Sequence, residues 1–124
     1  MGMSKTRASL LRNIILLSVL TLAGCVEQPE RPVDAGEQFA FKVARTPYAA
    51  AICIGRNAKA RPGAAAEERM LGESGMEVIV RSSGAVLADA KIQRDGTLSS
   101  VNIVVTRQAG SDRSGFARAL VAGC

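Results

Sequence analysis

Three short segments with alternating apolar residues constrain the fold of this chain more than any other feature. They are MEVIV (76–80), AVLADAKIQ (85–93) and LSSVNIVVT (98–106), and the connections RSSG and RDGT between them contain glycine. A period of two indicates strands with one buried face, and short Gly-containing connections are typical of hairpins. The pattern predicts a three-stranded antiparallel meander with one apolar face. In its second strand that face is expected to hold Val86, Ala88, Ala90 and Ile92.

A helix is predicted before the meander, over residues 47–59. Thr46 is a suitable N-cap, and Pro47 fits the first helical position. The helix is expected to stop before Arg61, which precedes Pro-Gly. Its apolar stripe is expected to contain Tyr48, Ala51, Ile52 and Gly55.

A second helix is predicted after the meander, within SDRSGFARALVAGC (111–124), with Ser111 or Asp112 as its N-cap. The predicted fold class is α+β: a small two-layer domain with a helix, a three-stranded antiparallel meander and a helix, both helices lying on one face of the sheet. Two segments stay open. Residues 64–72 are a short helix or an irregular connection, and FAFKV (39–43) could add a fourth strand.

The beginning of the chain has the pattern of an export signal. A basic stretch with Lys5, Arg7 and Arg12 precedes an apolar run over 14–23. As a helix this run would be about 15 Å long, roughly half the thickness of a membrane's hydrocarbon core. A basic start, a short apolar run and small residues at its end are typical of a secretory signal peptide.

The end of this segment resembles the lipobox of bacterial lipoproteins. The residues concerned are Leu22, Ala23, Gly24 and Cys25. The resemblance implies that residues 1–24 are removed and that the Cys25 thiol carries lipid, so that the membrane is a partner through this lipid. Because Val26 rather than an acidic residue follows, it also implies sorting to the periplasmic leaflet of the outer membrane. The alternatives are an ordinary signal peptide cut near Ala23 and an uncleaved anchor.

An acidic linker is predicted next. VEQPERPVDAGEQ (26–38) contains two prolines and four acidic residues without apolar periodicity, a composition that favours an extended, solvated chain. The predicted organisation is a cleaved signal peptide over 1–24, a linker over 25–38 and a single α+β domain over 39–124.

Two cysteines remain if Cys25 takes the lipid. In an oxidising compartment Cys53 and Cys124 predict a disulfide, which would join the first helix to the end of the second. A closed loop of about 72 residues contributes roughly 4 kcal/mol in the chain-entropy model. Such a link matters here, because only 3% of the residues are aromatic and the core must be light. A redox-active pair, a metal pair and two free thiols are the alternatives.

The sequence offers little for catalysis. It contains no histidine, which excludes histidine acid/base chemistry. Asp89, Lys91 and Asp95 are the most suggestive cluster, but alternation places Asp89 and Lys91 on the exposed face, where ion pairs between strands are ordinary. No catalytic residue, metal site or cofactor is expected, and the chain is predicted not to be an enzyme.

Basic residues recur near both predicted helices, and the chain's formal net charge is +5. A candidate binding patch for an anionic ligand contains Arg56, Lys59, Arg61, Arg107, Arg113 and Arg118. The alternative is that such residues simply stabilise helix C-termini. Nucleic acid is not an expected partner, because aromatic stacking residues are lacking and the compartment is wrong.

These observations favour binding as the function. The chain is expected to be a small lipid-anchored protein of the cell envelope that acts as an accessory or adaptor of an envelope assembly, with an envelope protein as its partner. The alternative is a basic-faced module in the periplasm that binds a ligand or inhibits an enzyme.

Overall fold

A computed structural model describes residues 36–124 as a small α+β domain built on an antiparallel sheet. The strands are β1 (Glu37–Val43), β2 (Ala64–Leu71), β3 (Gly75–Ser82), β4 (Ala85–Asp95) and β5 (Leu98–Val105). Helix α1 (Pro47–Lys59) follows β1, and a 3-10 turn (Arg107–Ala109) and helix α2 (Arg113–Val121) follow β5. The predicted signal peptide, Cys25 and most of the predicted linker lie outside the described residues, and β1 begins at Glu37, inside the range expected for the linker.

The predicted three-stranded meander is wrong, because the sheet has five strands within residues 36–124, in the order β1-β5-β4-β3-β2. The expected strands form its middle, while β1 pairs with β5 and β2 pairs with β3. β2 was missed because AAAEERML consists largely of good helix formers without a β-branched residue. Its extended state comes from a ladder that runs from Ala64 opposite Ser82 to Leu71 opposite Gly75, so tertiary pairing overrides local preference.

Helix α1 begins where the sequence indicates. Thr46 Oγ1 accepts a hydrogen bond from the Ala49 backbone amide at 3.2 Å. Pro47 fits the first turn because it has no amide hydrogen, and an amide there would have no partner within the helix. The buried side of the helix differs from the predicted stripe, however, because Tyr48 is 64% exposed. Small residues dominate the buried side, so α1 approaches the sheet closely; it contributes Ala50, Ala51, Ile54 and Ala58 to the core.

Both helices contribute to the same apolar core. Helix α1 packs mainly against β2 and β3, and α2 contacts β1, β5 and α1. From α2, Phe116, Ala117 and Leu120 are buried. The sheet side of the core includes Val78, Val80, Ala88, Ala90, Ile92, Val101, Ile103 and Val105, all fully buried.

A β-bulge interrupts the pairing of β3 with β4. Val80 lies opposite Ala88, but Arg81 lies opposite Val86, so no residue of β3 lies opposite Leu87. The extra residue reverses the alternation beyond it. Val86 is therefore 36% exposed and Leu87 is buried, which corrects the expectation that Val86 faces the core.

Candidate functional site

A disulfide joins Cys53 in α1 to Cys124, with 5.8 Å between their Cα atoms, and the predicted link is confirmed. Asn57 lies one helical turn after Cys53 and reaches the same segment. Its Nδ2 donates to the carbonyl oxygens of Leu120 at 2.8 Å and Ala122 at 2.9 Å. The covalent link and the amide together hold the end of the chain against α1.

Arg45 fixes this segment from a second direction. Its Nε donates to the Cys124 carbonyl oxygen at 2.8 Å, and its Nη2 donates to that of Gly123 at 3.1 Å. The fully buried Ser99 donates its hydroxyl to the Arg45 carbonyl oxygen at 2.6 Å, which fixes the arginine backbone. Sequence reasoning missed Arg45 and Asn57, although the spacing of Asn57 from Cys53 places both on one side of a helix. This cluster is structural.

A second cluster lies on the sheet face opposite the helices, where Glu77 occupies β3 and Asp89 occupies β4. Register places Arg69, Glu77 and Lys91 opposite one another across three strands. Arg69 Nε donates to Glu77 Oε1 at 2.8 Å, and Glu77 is only 3% exposed. A carboxylate this buried requires such partners, because desolvation disfavours an isolated charge.

The two carboxyls have displaced pKa values. Burial raises the pKa of Asp89 to about 6, and its hydrogen bond and repulsion with Glu77 act in the same direction. The hydrogen bond with Asp89, followed by that with Arg69, lowers the pKa of Glu77. Asp89 Oδ1 is buried and accepts no hydrogen bond from the part of the chain described. When protonated, Asp89 can donate a hydrogen bond to Glu77.

The sequence placed Asp89 and Lys91 on this face correctly but did not identify Glu77 as their neighbour. Asp95, the third member of the predicted cluster, is separate from them, because it lies at the end of β4 and pairs with Lys42 of β1. The register therefore brings the Glu77 and Asp89 carboxyls together, and Asp89 is the one whose pKa is raised.

The basic residues predicted as a patch mostly have local partners. Lys59 Nζ lies 3.9 Å from Glu68 Oε2, and Arg113 Nε lies 3.6 Å from Glu37 Oε1. Arg118 donates to Ser114 one turn earlier in α2. Arg56 and Lys59 lie in the last turn of α1, and Arg118 lies in the last turn of α2. A positive charge there interacts favourably with the negative end of the helix dipole. Arg107 lies in the 3-10 turn.

Arg61 differs from the other basic residues because it borders a cavity of about 450 Å³. Its guanidinium carbon lies 4.3 Å from the centre of the Phe116 ring. The cavity lies among the α1–β2 connection, the β3–β4 hairpin, the 3-10 turn and α2. Its lining residues are Arg61, Pro62, Ala64, Ser82, Ser83, Ala85, Leu87, Gln108, Ala109 and Phe116.

An apolar groove of about 340 Å³ lies beside the beginning of α1 and the β2–β3 turn. We call it the Tyr48–Met70 groove, after the two side chains that are each 64% exposed. Met76 closes it on the core side, and Glu73 and Arg94 add charge to its border. The sequence did not reveal it, because Tyr48 was expected in the core and β2 was not identified as a strand.

Within residues 36–124, no helix has the length and apolarity to cross a membrane, and no three acidic or cysteine side chains gather around a common point as metal ligands would. No protein-family model, curated protein or solved structure matches this chain.

Proposed function

We propose that this protein is a small lipid-anchored component of the cell envelope that binds another envelope protein, as an accessory or adaptor of an envelope assembly. The lipobox residues ending at Cys25 support the anchor, and Val26 supports the periplasmic leaflet of the outer membrane. The acidic linker would give the domain reach from the bilayer. The Tyr48–Met70 groove carries the binding part of the proposal.

The composition of the groove supports contact with a protein. Tyr48 is the single tyrosine of a chain with few aromatic residues, yet it lies on the surface rather than in the core. Tyrosine and methionine are enriched at protein interfaces, since each offers a large apolar contact area, and methionine adapts its shape to a partner. Arg94 adds a third residue type that is common at such sites.

The groove would accept one or two apolar side chains from a loop or helix end of the partner. Glu73 and Arg94 at its border would pair with polar groups around that apolar contact. An interface of this kind has a desolvated centre and a polar rim, and most of its binding energy comes from the centre. Tyr48 and Met70 are therefore the residues whose loss should matter most.

Site-specific photocrosslinking in living cells tests this proposal. The full chain would carry p-benzoylphenylalanine at position 48, at position 70 or, as the control, at the exposed Ala119 of α2. The proposal expects one crosslinked species from positions 48 and 70, its absence from position 119, and its loss from position 48 when Met70→Glu is added. Equal crosslinking from all three positions, or none from 48 and 70, would contradict it.

A second candidate function is a basic-faced module that binds a ligand or inhibits an enzyme in the periplasm. It is favoured by one observation, the position of Arg61 at the cavity above Phe116. Reversing Arg56, Lys59 and Arg61 to glutamate should abolish such binding in a protein that circular dichroism shows to be folded. Retained binding in this triple variant would argue against the basic face.

A further inference from the structure

We infer that the cavity beside Arg61 binds the free carboxylate end of a short peptide with a small apolar last residue. This inference deepens the second candidate function and does not depend on the Tyr48–Met70 groove. It rests on the way Arg61 is held, on the unused polar groups around it and on the apolar floor of the cavity.

Arg61 is held by both its backbone and its side chain. Its amide donates to the Ala58 carbonyl oxygen at 3.1 Å, and its own carbonyl oxygen accepts from the Ala64 amide at 3.1 Å. The guanidinium lies over the ring of Phe116, which is only 4% exposed and therefore a fixed platform. A stacked guanidinium keeps its donors in its own plane, and this planar fork matches the two oxygens of a carboxylate.

Three further polar side chains around the cavity are available to a ligand. The hydroxyls of Ser82 and Ser83 and the carboxamide of Gln108 make no hydrogen bond to any other residue within 36–124, and Arg61 forms no ion pair there. Gln108 is fixed through its backbone, whose amide donates to Thr106 Oγ1 at 3.2 Å. These groups can donate to a carboxylate oxygen or to the last peptide carbonyl of a ligand.

The hairpin turn beside the cavity has an unusual residue. Ser83 has a φ of 52° and Gly84 a φ of 81°, the left-handed pair that a two-residue turn requires. Glycine, asparagine or aspartate is the ordinary choice at the first of these positions, and serine is less suited to it. A serine there places a hydroxyl at the rim of the cavity, which a glycine would not.

The rest of the lining limits the ligand to a small, partly apolar anion. No acidic residue lines the cavity, so its one formal charge is positive. Leu87 and Phe116 are buried beneath it, and Pro62 and Ala109 complete its apolar walls. At roughly 30 Å³ per water molecule, a cavity of about 450 Å³ has space for a group the size of a dipeptide. A phosphate dianion would favour more than one cation, which makes a single-charge carboxylate the better match.

Calorimetric titration of the full-length protein in detergent micelles with acetyl-alanyl-alanine tests this inference. The same peptide with a C-terminal amide serves as the ligand control. The amide should bind at least about tenfold more weakly, because it lacks the charge that pairs with the guanidinium. Equal affinity for the acid and the amide, no binding of the acid, or equally tight binding of inorganic phosphate would each overturn the inference.

Two arginine variants separate this cavity from a general basic surface. Arg61→Gln should weaken binding of the acid by about tenfold or more, and Arg61→Lys should restore only part of it, because lysine lacks the planar fork. Arg56→Gln removes an exposed charge outside the cavity and should leave the affinity unchanged. An equal loss in Arg56→Gln and Arg61→Gln would overturn the inference.

Arg61 also contacts Phe116, so its replacement could disturb folding; Ser83→Ala and Gln108→Ala provide a second test with melting temperature as the control. Both should weaken acid binding in a folded protein, and unchanged affinity in both would overturn the proposed site. Met70→Glu should not affect the titration, so failure here and failure of the groove proposal are distinguishable.

Discussion

Replacing Asp89 with asparagine should stabilise the domain at neutral pH and have much less effect near pH 4. Asparagine keeps the shape of the protonated carboxyl and can donate from its amide to Glu77. It removes a negative charge that is partly buried and lies beside another carboxylate, although Arg69 and Lys91 partly compensate that charge. The variant therefore isolates the energy of ionising Asp89 in this environment.

The magnitude follows from the displaced pKa. Asp89 titrates at about 6 in the folded domain, against an ordinary value of 3.8. At about 1.4 kcal/mol per pKa unit, the difference corresponds to roughly 3 kcal/mol as an upper limit. Because Asp89 is only partly buried, solvent screening reduces the expected gain in the free energy of unfolding to about 1 kcal/mol.

The sign follows from proton linkage. The pKa of Asp89 is raised on folding, so the contribution of its proton to stability is fully present below 3.8 and is lost as the pH rises through about 6. Glu77 behaves oppositely: its pKa is lowered, so its contribution is present above 4.5 and is lost at lower pH. Asp89→Asn should therefore exceed the natural protein in stability at pH 7.5, and the gap should narrow at pH 4.

Urea unfolding of both proteins at pH 4 and pH 7.5, with the disulfide intact, measures this difference. Asp95→Asn is the matched control, because Lys42 lowers the pKa of Asp95 and the sign of its contribution is reversed. That variant should lose stability at pH 7.5 and lose less at pH 4. A decrease in stability of Asp89→Asn at pH 7.5, or an equal change at both pH values, would refute the reasoning about the carboxyl pair.

Other variants test the remaining features. Cys124→Ser should lower the free energy of unfolding by about 4 kcal/mol, and reduction of the natural protein should match it in denaturant titrations. Asn57→Ala removes two donated hydrogen bonds and should cost about 1–2 kcal/mol by the same assay, while mass spectrometry shows the disulfide retained. Ile54→Ala should lower the free energy of unfolding by about 2–5 kcal/mol, because Ile54 is fully buried. A smaller decrease would mean that neighbouring side chains fill the space that the substitution leaves. Cys25→Ser should abolish labelling with radioactive palmitate, and continued labelling would place the lipid elsewhere.

The parts of the fold that depend on local chemistry could be predicted from the sequence. The beginning of α1 needs only Thr46, Pro47 and the amide of Ala49. The disulfide was predicted from the expected oxidising compartment and from the pair of cysteines that remains if Cys25 takes the lipid. β2 could not be predicted in this way, since its extended state depends on pairing with β3 rather than on its own residues. The bulge at Leu87 likewise depends on the register between two strands.

The candidate sites show the same division. Arg61 was identified from the sequence as a basic residue, but its partner Phe116 lies in the last helix and no spacing rule joins them. Glu77 was overlooked because alternation distinguished only apolar from polar positions, whereas the register brings Asp89 beside it. Tyr48 was assigned to the core on helical periodicity, although it lies on the surface and lines a groove together with Met70 of β2.

The position of β1 in the sheet determines when this domain can form. Among the strands within residues 36–124, β1 is synthesised first, yet its partner is β5, which is synthesised last, with Glu37 opposite Val105. Until β5 has emerged, Phe39 and Phe41 have no strand to pair with, and the apolar segment is open to wrong partners. We therefore expect the domain to remain unfolded through most of its synthesis. Its sheet then closes only when the strand farthest from the start arrives between β1 and β4.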